Sequence, residues 1–63
     1  SGDSSDAIKK AIVELINMED KKHPLSDEKL VEELENIGLS CSRRVINKYR
    51  KQLNIPSSFK RKK

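Results

Sequence analysis

Between positions 43 and 51 the chain carries Arg43, Arg44, Asn47, Lys48, Arg50 and Lys51, with no carboxylate among them. The planar guanidinium fork of arginine matches phosphate oxygens and the O6/N7 edge of guanine, and the asparagine amide matches the N6/N7 edge of adenine. A helix turning about 100° per residue gathers these polar side chains on one face. Val45, Ile46, Tyr49 and Leu53 fall on the other, with the small Ser42 among them. Such a helix has a core stripe and, opposite it, an unneutralised cationic stripe suited to the major groove of duplex DNA. Base edges are read from the first part of a recognition helix, so Arg43, Arg44 and Asn47 are the expected base readers. Lys48, Arg50 and Lys51 are expected to hold phosphates and fix register. Tyr49 lies inside the apolar stripe, which favours packing over a phosphate contact.

Three elements must position that helix. Ile8, Ala11, Ile12, Leu15 and Ile16 recur at the spacing of one helical face and predict a first helix from Asp6 to Met18 or Glu19. The opening SGDSS, residues 1–5, reads as a disordered lead-in or an expression scar. Pro24 biases His23 away from helical dihedrals, so DKKHPL is a connector and His23 a solvated loop residue. Ser26 then supplies an N-cap, Asp27 and Glu28 place negative charge in a first turn, and Leu25 and Leu30 form a hydrophobic staple. The second helix carries Leu30, Val31, Leu34 and Ile37, and Gly38 stands where a left-handed residue would end it. Only Leu39, Ser40, Cys41 and Ser42 separate Gly38 from Arg43, which predicts a sharp helix-turn-helix with Ser40 as the preferred cap and Cys41 as a buried, inert thiol. Pro56 predicts an end to the ordered domain near Ile55. The expected organisation is therefore all-α: a small three-helix domain with a helix-turn-helix motif over residues 6–55, and a basic tail over 56–63. From the tail Lys60 and Arg61, and from the turn Ser40 and Ser42, complete the expected DNA-contact set.

Charge supports this division. Ten acids and five lysines precede Arg43, whereas nine bases and no acid follow Ser42, so the net charge of +4 conceals strong segregation. All four arginines lie in the basic third, the electrostatic footprint of a polyanion binder.

Other functions fit poorly. Sixty-three residues leave room for about one core and no second domain. With His23 and Cys41 as the single histidine and cysteine, neither a metal site nor a nucleophile with base and orienting group can be assembled, and no enzyme or cofactor is expected. Tyr49 and Phe59 are the only aromatic residues, too few for a base-stacking platform. No apolar run approaches the ~20 residues of a membrane span, and no signal-peptide pattern opens the chain, so a soluble location is expected. No extra apolar helix offers a dimer face, and a monomer is expected. The alternatives are a generic helix-turn-helix repressor domain, and a basic helix that docks on an acidic protein.

The segment Ser42 to Lys51, SRRVINKYRK, resembles the RpoN box, the signature ARRTVAKYRE near the C terminus of bacterial sigma-54 factors. Arg43, Arg44, Lys48, Tyr49 and Arg50 match it, and Ile46 replaces its valine. Ser42, Val45, Asn47 and Lys51 depart from it. The continuation LNIPSSFKRKK also looks like the end of that family. The resemblance implies a C-terminal DNA-binding domain that recognises the guanine-bearing minus-24 promoter element. It further implies that contact with core RNA polymerase belongs to other regions of a full-length protein, working in the bacterial cytoplasm at the nucleoid.

Overall fold

A computed structural model describes residues 4–63 of the chain. It contains α1 (Ser4–Met18), α2 (Asp27–Asn36), α3 (Arg43–Gln52) and a short α4 (Ser58–Arg61), and no strand among the described residues. The all-α expectation holds, with one helix beyond the three that the pattern predicts.

Ile8, Ala11, Ile12 and Ile16 of α1 meet Leu30 and Leu34 of α2 and Ile46 of α3 in one buried cluster. Ile12, Leu30, Leu34 and Ile46 are completely enclosed. Helix α1 begins at Ser4 rather than Asp6, which puts the Asp6 carboxylate inside the first turn, beside the positive end of the helix dipole. Residues 1–3 of the expected lead-in lie outside the described residues.

The predicted start of α2 is present: Ser26 Oγ accepts the Lys29 N–H at 3.1 Å, and Leu25 packs on the core cluster that contains Leu30. At its other end Gly38 adopts φ 85°, the left-handed conformation that a Cβ would strain. This lets Leu39 N–H reach Leu34 O at 2.8 Å and Gly38 N–H reach Glu35 O at 3.0 Å, closing the helix. Ile37 departs from the expected core stripe. As the residue after the last turn it swings away from the core and stays 61% exposed.

The turn into α3 buries part of Leu39 and Cys41 against the core. Burial, reinforced by the Glu35 charge, pushes the Cys41 thiol above its ordinary value, so it is a poor nucleophile. Ser42, not Ser40, caps α3. Its Oγ accepts the Val45 N–H at 3.3 Å, three residues on, whereas Ser40 is an exposed turn residue. Ser42→Ala should lower the melting free energy by about 1 kcal/mol, measured by urea unfolding, and Ser40→Ala should leave it unchanged.

Helix α3 ends as α2 does, here with Asn54 at φ 58°. Ile55 N–H reaches Arg50 O at 2.9 Å, and Asn54 N–H reaches Lys51 O at 3.1 Å. The chain then turns back instead of trailing away as the sequence suggests. Arg61, on α4, is 9% exposed, and its guanidinium reaches both Glu19 oxygens, with Nε to Oε2 at 2.7 Å and Nη2 to Oε1 at 3.0 Å. It also donates to Leu25 O and Pro56 O, each at 2.6 Å. Glu19 additionally accepts Leu25 N–H at 2.8 Å and Lys21 Nζ at 3.0 Å. Lys63 N–H closes the clasp on Lys21 O at 2.9 Å. Burial alone would raise the Glu19 carboxyl. The hydrogen bonds from Arg61, Leu25 and Lys21, with the Arg61 charge, outweigh it and lower the group from 4.5 to about 2.

Candidate nucleic-acid interface

The core stripe of α3 fixes what its other face can do. Ile46 is enclosed between α1 and α2, and Tyr49 packs at the core margin with the Lys9 ammonium 5.1 Å from its ring centre. That arrangement matches the packing expected of Tyr49 and gives Lys9 of α1 a cation–π contact that fastens the two helices. With the helix so rolled, Arg43, Arg44, Lys48 and Lys51 are exposed and Asn47 is half-buried.

Arg43, Arg44 and Asn47 face Ser26, Asp27 and Glu28 of the α2 start across an open cavity of about 480 Å³. Among the described residues neither arginine forms an ion pair. Both forks are therefore available to a ligand. The opposing wall is acidic, which sequence reasoning missed: Asp27 and Glu28 were assigned only to the helix dipole, and no spacing rule links positions 27–28 to 43–47. Their juxtaposition arises from the crossing of α2 and α3.

Two residues of the expected DNA-contact set, Arg50 and Arg61, are turned inward. Arg50 is 6% exposed, with Nε donating to Asp27 Oδ1 at 3.0 Å, Nη2 to Oδ2 at 3.3 Å and Nη1 to Ile55 O at 3.0 Å. It sits one turn beyond Ile46 and one before Leu53, on the edge where the polar and apolar stripes meet. An acid at the start of α2 draws it inward. Arg61 is turned inward onto Glu19 in the same way, because α4 docks on the α1–α2 connector. Both placements have one physical cause: each guanidinium is held by a carboxylate on another element and by a backbone carbonyl beside it. Lys60 remains exposed on α4, and Ser40 and Ser42 are exposed at the turn. Among the described residues no cluster of His, Cys, Asp and Glu could hold a metal ion, and no helix is long and apolar enough to cross a membrane.

A family model described as "Sigma-54, DNA binding domain" matches residues 1–63. The chain belongs to the sigma-54 DNA-binding domain family. It is 55% identical to the RNA polymerase sigma-54 factor of Bacillus subtilis (strain 168), over 98% of this chain and 15% of that protein. It is 51% identical to the RNA polymerase sigma-54 factor of Helicobacter pylori (strain ATCC 700392 / 26695), over 95% of the chain and 15% of that protein. A further relative, the RNA polymerase sigma-54 factor of Azotobacter vinelandii, is 45% identical over 95% of the chain and 12% of its own length. The chain thus spans about 15% of the length of the first two curated relatives. Against this background the resemblance of SRRVINKYRK to the RpoN box gains a shape. The box of this sigma-54 domain is helix α3 with its cap, and its matching residues divide between an outward set, Arg43, Arg44 and Lys48, and an inward set, Tyr49 and Arg50.

Proposed function

We propose that this domain recognises promoter DNA by inserting α3 into the major groove at the minus-24 element. In this reading Arg43, Arg44 and Asn47 read base edges, and Lys48, Lys51 and Lys60 grip phosphates. The exposed Ser40 and Ser42 lie where the turn meets the backbone. One observation carries the reading: among the described residues Arg43 and Arg44 form no ion pair, and they stand at the start of α3 on the wall of an open cavity, in a helix whose other side seats Ile46 in the core. An unpaired arginine fork at the front of such a helix is the group that reads guanine, and each good bidentate contact discriminates by about 1–3 kcal/mol. The domain binds as a monomer and performs no catalysis. Contact with core RNA polymerase is assigned to other regions of a longer sigma-54 factor acting in the bacterial cytoplasm.

A salt titration on two duplexes tests this. The logarithm of affinity for a minus-24 duplex should fall linearly with log salt, by a slope of about 0.9 for each phosphate neutralised, while a scrambled duplex binds far more weakly. Lys48→Ala or Lys51→Ala should lessen that slope by about 1 on both duplexes alike. Equal affinity of the unaltered chain for both duplexes would remove promoter recognition and leave a non-specific polyanion binder. No DNA binding at low salt would favour a basic helix that docks on an acidic protein.

A further inference from the structure

The Asp27 carboxylate stands between two sets of arginines. On one side Arg50 holds it by a fork of two hydrogen bonds, and the remaining guanidinium nitrogen of Arg50 donates to Ile55 O. On the other side Asp27 forms part of the cavity wall opposite Arg43 and Arg44. The two side chains of the pair are 8% and 27% exposed, so Arg50 is sealed in while Asp27 keeps an edge on the cavity. A carboxylate across an open cleft from two guanidinium groups has every electrostatic reason to pair with one of them. Among the described residues it does not.

We propose that Asp27 and Arg50 form a specificity-determining pair that acts without touching DNA. The fork fixes the roll of α3 against the start of α2, and the Ile55 bond ties the far end of the helix to the same bracket. Arg50 also occupies Asp27, one of the two carboxylates on the wall opposite Arg43 and Arg44, and so withholds it from both arginines. Arg50 is thus a positioning residue, although it belongs to a cationic helix whose other charges face solvent. The inference rests on promoter recognition as proposed above.

A lysine at position 50 separates this role from a phosphate contact, because it keeps the charge and loses the fork. Binding of the 63-residue chain to a minus-24 duplex and a scrambled duplex is measured at one salt concentration, below the melting temperature of each variant. Arg50→Lys should lower promoter affinity by roughly tenfold, the size of one lost base contact, and leave scrambled-duplex affinity within about twofold. Adding Asp27→Asn to Arg50→Lys should restore much of the ratio between the two duplexes, since the freed carboxylate is then gone. A ratio retained by Arg50→Lys, or not restored by the second substitution, overturns the proposal. Should Arg50→Lys fail to fold, the unaltered chain decides. Its Arg50 Nε–H resonance should stay unshifted and protected from exchange when promoter duplex is added, while those of Arg43 and Arg44 move. An Arg50 resonance that moves with them overturns the pair's role. If the unaltered chain binds both duplexes equally, promoter recognition itself fails, which is a different result from any of these.

Discussion

Arg61→Ala is expected to lower the stability of the domain by about 3–5 kcal/mol, the cost of leaving one member of a buried ion pair without the other. The Arg61 side chain is 6% exposed and that of Glu19 is fully enclosed, so water cannot replace the lost donors. A single core in a domain this small rarely supplies more than about 3–5 kcal/mol, and the variant should therefore be close to unfolded at room temperature. Urea unfolding measures the loss, and amide exchange at Lys63, whose N–H is held by Lys21 O, reports whether α4 leaves first. The same clasp predicts an acid transition. The Glu19 carboxyl sits at about 2 in the folded chain and at 4.5 ordinarily, so the unfolded state takes up its proton first as pH falls. Its contribution is complete above pH 4.5 and is lost between 4.5 and about 2, amounting to about 3 kcal/mol. Glu19→Gln should flatten that part of the stability profile. If the variant and the parent lose stability in parallel through this window, Glu19 is not the group that titrates.

What the sequence made legible was everything that depends on neighbours along one helix. The apolar spacing of Ile8, Ala11, Ile12 and Ile16 located α1 and its buried face, because a helix alone sets which side chains align. Ser26 and Gly38 marked the ends of α2 through local backbone requirements, and both serve those ends in the structure. Arg50 and Arg61 were assigned to solvent because a helical wheel cannot represent a partner on another element. Asp27 lies 23 residues from Arg50, and Glu19 lies 42 from Arg61. No periodicity connects such pairs. Pro56 lies beyond the end of α3, and nothing local to it reveals that the chain resumes helical structure two residues later, since what holds α4 is the distant Glu19. The candidate site divides in the same way. The arginine face of α3 follows from its own pattern, whereas the acidic wall opposite requires the packing of α2.

Arg43→Ala and Arg44→Ala should each reduce affinity for the minus-24 duplex by about 1–3 kcal/mol and relax its sequence preference. Both are exposed at the first turn of α3, where the Ser42 cap, not an acidic residue, satisfies a free backbone N–H. No carboxylate in that turn draws their charge away, and Arg50 occupies one of the two acids on the opposite wall. In the proposed reading each fork distinguishes one guanine from other bases, so the cost should appear on the correct site and shrink on the duplex in which that guanine is replaced. Lys60→Ala provides the contrast. Its exposed ammonium lies on α4 and can supply only charge, so all duplexes should weaken slightly and equally. Competition binding against duplexes in which each guanine of the element is replaced in turn resolves the two behaviours. For an arginine that reads one guanine, replacing that base should cost the alanine variant nothing further, because the interaction is already gone. If Arg43→Ala and Arg44→Ala instead lose the same free energy on every duplex, both side chains hold phosphate, and base reading has to come from elsewhere on α3.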